Sequence, residues 1–147
     1  MTTTEDRTRG RDRQQRIKRA LEHAYCEIAG DEAATLATLE DDPYFEIHPA
    51  GLRIQGRAVV ERYYAHYFAN VRPRYRATTD HGMWENEDGV VFEMSATVEH
   101  DDGSRSDHRF IAILVPGETG IAGERLYGDE ALARFMFGPV YDEFRPI

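Results

Sequence analysis

Glu93, His108 and Glu124 are the side chains whose types and positions in this chain suit proton transfer. Each sits in a strand-like run beside apolar residues. A carboxylate or imidazole desolvated in such company shifts its ionisation towards acid–base work. An imidazole, titrating near ~6.5, can both take and return a proton close to neutral pH. No glycine-rich phosphate loop, nucleophile elbow or metal motif accompanies these groups, and His66, His81 and His100 do not form a metal-binding set. The chemistry expected is therefore proton transfer with no cofactor and no metal.

Strand pairing decides whether these groups meet. Residues 76–129 read as four strands joined by tight hairpins, with Asp88-Gly89, Asp102-Gly103 and the stretch 116–120 at the corners. A turn centred on Asp102-Gly103 pairs Thr97 with His108, Ser95 with Phe110 and Glu93 with Ala112. A turn centred on Glu118 pairs Ala112 with Glu124 and Phe110 with Leu126. One face then carries Trp84, Glu93, Ser95, Thr97, His108, Phe110, Leu114, Glu124 and Leu126. The other carries Met83, Phe92, Met94, Ala96, Ile111, Ile113 and Val115. A slip of one residue would exchange the faces. Both look too apolar for water, so helices should cover one and a second copy of the chain the other.

Helical stripes supply that cover. Ile17, Ala20, Leu21, Ala24, Tyr25 and Ile28 recur at helical spacing, after a polar stretch, residues 1–12, that is expected to be a flexible arm ahead of a single domain over 13–147. Gly30 stops this helix and Asp31 caps a short second one over Glu32–Leu39. Tyr44–His48 and Leu52–Gln55 alternate like strands around a Pro49-Ala50-Gly51 corner. Val60, Tyr63, Tyr64, Tyr67, Phe68 and Val71 form a second stripe ended by Pro73, and Asp129 caps a terminal helix over Glu130–Phe137. The order predicts an α+β fold: a curved antiparallel sheet with helices on its concave face, enclosing a cone-shaped space.

Composition bounds the function. The chain has 147 residues, enough for one core, and 41% of them are hydrophobic, which argues for a folded globular domain. A net charge of −9 argues against a nucleic-acid partner, since no basic face exists to release counterions. The single cysteine, Cys26, permits no internal disulfide and fits a reducing cytoplasm. No apolar run approaches membrane-spanning length, so no membrane partner is expected.

The order of elements over roughly residues 14–138 resembles the nuclear-transport-factor-2-like superfamily, in particular the SnoaL-like polyketide cyclases and ketosteroid isomerases. The residues that carry the resemblance are Ala29-Gly30-Asp31 after the first helix, His48-Pro49-Ala50-Gly51 ahead of the run from Gly56 to Tyr64, and the segment Glu124 to Asp129 entering the last helix. The resemblance implies a cystatin-like cone with a pocket against the concave face and dimers through the convex face. It places His48 where the isomerases have their catalytic Asp, and His23 near their first-helix tyrosine. It makes His108 and Glu124 the nearest equivalents of the His and Asp of the cyclases. The Arg and Asp set of the similar epoxide hydrolases is replaced here by Glu93, Ser95 and Leu126.

The expectation is thus an isomerase or cyclase acting on a hydrophobic carbonyl compound. His48 or His108 would be the base, Glu93 and Glu124 would tune or relay protons, and His23, Tyr64, Trp84, Phe110, Leu114 and Leu126 would hold the ligand. A non-catalytic, dimeric small-ligand-binding protein of the same fold is the alternative.

Overall fold

The computed structural model describes residues 4–147. In chain order the elements are α1 (Thr4–Ala29), α2 (Glu32–Ala37), β1 (Leu39–His48), β2 (Leu52–Gln55), α3 (Arg57–His66), a π-turn (Tyr67–Val71) and a 3₁₀ turn (Arg72–Arg74). There follow β3 (Tyr75–Asn86), β4 (Gly89–Glu99), β5 (Arg105–Pro116), β6 (Ile121–Tyr127), α4 (Glu130–Phe137), a second 3₁₀ turn (Gly138–Glu143) and β7 (Arg145–Pro146). No helix among these residues is long and apolar enough to cross a membrane. The helix ends follow local chemistry. Asp31 caps α2 through the Ala34 N–H, and Asp129 caps α4 through the Leu132 N–H. α1 starts at Thr4, so residues 4–12, expected to be an arm, continue the helix with their side chains in solvent. Residues 1–3 of that arm lie outside the described residues.

The seven strands form one sheet in the order β3-β4-β5-β6-β1-β2-β7. Its pairs are antiparallel except β1 with β6, which run parallel, so the sheet is mixed where an antiparallel one was expected. α1 lies across β4, β5 and β6, α3 packs on β1 and β2, and α4 reaches the same side through Phe137 against Phe45. Two arginines fix α1 to the hairpin ends: Arg16 donates to the carbonyls of Glu87 and Pro116, and Arg19 to that of Gly117. Arg57 joins the start of α3 to the end of α2 by donating to the Leu36 carbonyl at 2.8 Å, with longer bonds to those of Leu39 and Glu40. Arg57→Ala should therefore lower the unfolding free energy by about 2 kcal/mol in urea titrations. An unchanged midpoint would mean that water replaces the guanidinium without loss.

One register difference rearranges the inner wall. The β4–β5 hairpin closes through a five-residue loop, residues 100–104, with Gly103 at φ +81 and bonds between His100 and both Gly103 and Ser104. An odd loop in place of an even turn shifts the pairing by one: Ala96 faces His108, and Glu93 faces Ile111. Phe92, Met94 and Ala96 therefore share the concave face with His108 and Phe110. Glu93, Ser95 and Thr97 share the convex face with Asp107 and Arg109. The β5–β6 pairing moves by two residues, Leu114 facing Glu124 and Ala112 facing Leu126, so the faces there are as expected.

Candidate functional site

Glu124 stands on the concave face of β6, between Leu114 on β5 and Phe45 on β1. It is 8% exposed. Above it lies a polar cluster built by the two helical stripes. His23 on α1 is fully buried, and its Nε2 is 2.8 Å from the Tyr64 hydroxyl and 3.5 Å from a carboxylate oxygen of Glu27. Its Nδ1 is 2.6 Å from Thr38 Oγ1. The Thr38 hydroxyl already donates to the Thr35 carbonyl, so it can only accept from His23. The neutral imidazole accordingly carries its proton on Nδ1, and its electron pair at Nε2 accepts from the Tyr64 hydroxyl. After burial, the charge of Glu27 also acts on the Tyr67 and Tyr75 phenols and raises both.

Ionisation in this cluster is far from that in water. Burial, and next the charge of Glu27, push the Glu124 carboxyl well above its ordinary range. No hydrogen bond contributes to that shift. Burial first, with the two glutamates second, likewise holds Tyr63, Tyr64 and Tyr67 in their neutral phenol form. Rings occupy the cone: Phe45 meets Tyr63 edge-on at 4.6 Å, and Tyr63 lies 4.7 Å from Phe137. The open chamber expected from sequence is thus packed with aromatic groups at this level. Depressions of ≈ 380 Å³ lie elsewhere, one between α1 and Glu85 and one on the convex face beside Thr79, Thr97 and Arg109.

His23, Glu27 and Glu124 also form a set that could hold a metal ion, one ligand atom from each lying within 4.8 Å of the others. Cation binding there would require Glu124 to surrender its proton.

The expected site residues divide between two faces. His23, Tyr64, Leu114, Glu124 and Leu126 line the cone, and Phe110 is buried further along β5. Glu93 does not join them: on the convex face it accepts two hydrogen bonds from Arg109. His48 is convex too, because Phe45 and Ile47 point inward; it bonds Glu46 at 2.9 Å and stacks on Tyr127 at 4.7 Å. Trp84 pairs with Val91, lies over Gly82 and is 56% exposed, so it walls no pocket. His108 is concave and buried, but six residues along β5 from Leu114, about 20 Å from Glu124. Sequence reasoning missed Glu27, Thr38, Tyr67 and Tyr75. The i,i+4 spacing of His23 and Glu27 on one helix was the signal available for the first of these.

No family model and no curated protein matches the sequence. Solved structures do. An NTF2-like protein of unknown function from Cytophaga hutchinsonii matches with a TM-score of 0.63 at 17% identity, covering 78% of this chain and 99% of its own. A candidate SnoaL-like polyketide cyclase from Jannaschia matches at 0.64 and 14%, covering 84% and 95%, and a candidate isomerase from Bacillus subtilis at 0.59 and 18%, covering 82% and 94%. The chain has the fold of the nuclear-transport-factor-2-like superfamily, the group that includes SnoaL-like proteins.

Proposed function

We propose that the protein is a small-molecule enzyme that moves a proton on a hydrophobic carbonyl compound, by isomerisation or cyclisation, with Glu124 as acid and His23 as base. The observation that carries this reading is a buried carboxyl within 4.8 Å of an imidazole of fixed tautomer, on the concave wall of this fold. Structural likeness to a candidate isomerase and a candidate cyclase supports the reaction class.

With its ionisation pushed well above the ordinary carboxyl range by burial and then by Glu27, Glu124 in its acid form can donate a hydrogen bond to the substrate carbonyl oxygen, where charge gathers as an enol forms. His23 Nε2 takes the proton from the adjacent carbon. The resulting imidazolium faces the Glu27 carboxylate, which offsets its charge. Return of that proton at another carbon gives an isomer, and attack of the enol on a second carbonyl gives a ring. The rings pack closely, so a ligand enters by displacing the Tyr64 and Tyr67 phenols. Leu114 and Leu126 supply apolar contact.

The test is exchange of substrate α-protons with deuterated water, using steroid, polyketide and terpenoid ketones. Glu124→Gln should slow exchange by about 100-fold. Zinc ions, competing for the Glu124 proton, should inhibit reversibly. Full exchange in both Glu124→Gln and His23→Gln would refute the assignment. A second reading, a binding protein paired through the convex face, is favoured by the exposure of Trp84, which pairs with Val91 on that face of edge strand β3. Tight ketone binding with neither exchange nor isomerised or cyclised product, in a chain that sediments as a dimer, would select it.

A further inference from the structure

Four polar groups form an unbroken chain where α4 covers the start of β5, away from the Glu124 cluster. Asp129 Oδ2 lies 2.6 Å from His108 Nδ1. His108 Nε2 lies 2.7 Å from Ser106 Oγ, and Ser106 Oγ lies 2.7 Å from His100 Nε2. The other Asp129 oxygen accepts from the Leu132 N–H as the cap of α4, so the carboxylate cannot swing away without opening the helix. His108 is buried, while Ser106 is partly exposed and the Asp129 side chain about half exposed.

Proton bookkeeping orders this chain. The carboxylate holds a proton on Nδ1 of the neutral His108, which leaves an electron pair at Nε2. The serine hydroxyl has one proton, and two imidazole nitrogens lie within reach of its oxygen. If His108 Nε2 accepts that proton, His100 Nε2 must carry its own and donate to Oγ. The result is a hydroxyl facing a base, a base oriented by a fixed carboxylate, and a donor already directed at the oxygen. Nucleophilic hydroxyls on unrelated folds are activated by this arrangement.

We propose that Ser106 is a nucleophile towards small electrophilic acyl compounds such as activated esters, with His108 as its base and Asp129 as the positioning residue. Ser106 Oγ bonds to the acyl carbon while its proton passes to His108 Nε2, producing an imidazolium that faces Asp129. The bond from the acyl carbon to the leaving oxygen breaks, and the departing alcohol takes the proton from His108. Water then attacks the acyl-serine, giving one proton to His108, which returns it to Oγ as the acid departs. His100 Nε2–H lies at the oxygen where the new bond forms, and it is the nearest donor to the adjacent oxyanion.

The probe is an alkyl fluorophosphonate applied to the full chain and read by intact mass and peptide mapping. One adduct on Ser106 is expected, with loss of fluoride. Ser106→Ala should remove it, and His108→Gln should slow its formation by about 100-fold. Asp129→Asn retains an oxygen for the Leu132 cap. It should slow labelling and alter its pH profile while leaving the helix content unchanged, which a merely structural carboxylate would not do. Absence of any adduct on the native chain, an adduct on another residue, or labelling indifferent to His108→Gln would overturn the proposal.

Discussion

Replacing Glu124 with glutamine should raise stability at neutral pH and flatten its dependence on pH. Burial, and then the charge of Glu27, lift the carboxyl above its ordinary 4.5 in the folded chain, so the native state binds this proton more tightly than the unfolded state does. Its stabilising contribution is complete below 4.5 and is lost as pH rises through the folded-state pKa. Between those limits the wild-type protein should lose about 1.4 kcal/mol per pH unit. Glutamine has the shape of the protonated acid and no proton to give up. Urea titrations at pH ~4 and pH ~8 should therefore give nearly equal stabilities for the variant and a clear fall for the wild type. Parallel curves for the two proteins would show that Glu124 is hydrated and would remove it as the acid. The experiment also separates stability from activity, since one substitution is expected to improve the first while slowing the second.

His23→Ala should be among the most costly single changes. The imidazole is fully buried and joins α1 to α3 through Tyr64, and to the end of α2 through Thr38. Its removal leaves a cavity and a phenol without a partner. Cavity formation costs about 2–5 kcal/mol for large side chains, and an orphaned buried donor about 1–3 kcal/mol. A loss of about 3 kcal/mol is expected. Tyr64→Phe removes only one hydrogen bond and should cost about 1 kcal/mol. Equal, small losses for both would mean that the cluster contributes little to the fold.

Much of the architecture was legible because local signals agreed with one another. Gly30 and Asp31 set the first helix boundary, Asp129 capped the last helix, and aromatic periodicity marked α3. β7 gave no comparable signal: two residues, Arg145 and Pro146, pair with β2 and carry no alternation to read. The parallel pairing of β1 with β6 depends on where the chain returns after the other structure of residues 49–120, which no local pattern records. The site was half legible. Alternation placed Glu124 inside, and it would have placed Glu93 outside had the loop after Glu99 been counted as five residues. Asp102-Gly103 advertises a two-residue turn, but His100 and Ser104 close a wider loop around it. His48 was misplaced for a different reason: its resemblance to a catalytic position was one of sequence order, whereas its side chain follows Glu46 to the outer surface.

The unequal exposure of the interior trio sets how it communicates with bulk solvent. The side chain of His23 is 1% exposed and that of Glu27 is 22% exposed. The Glu27 carboxylate is therefore the more open neighbour of His23, the cluster's shore. A label picked up from solvent reaches the imidazole most directly by way of that carboxylate, so Glu27→Gln should slow deuterium wash-in at the base.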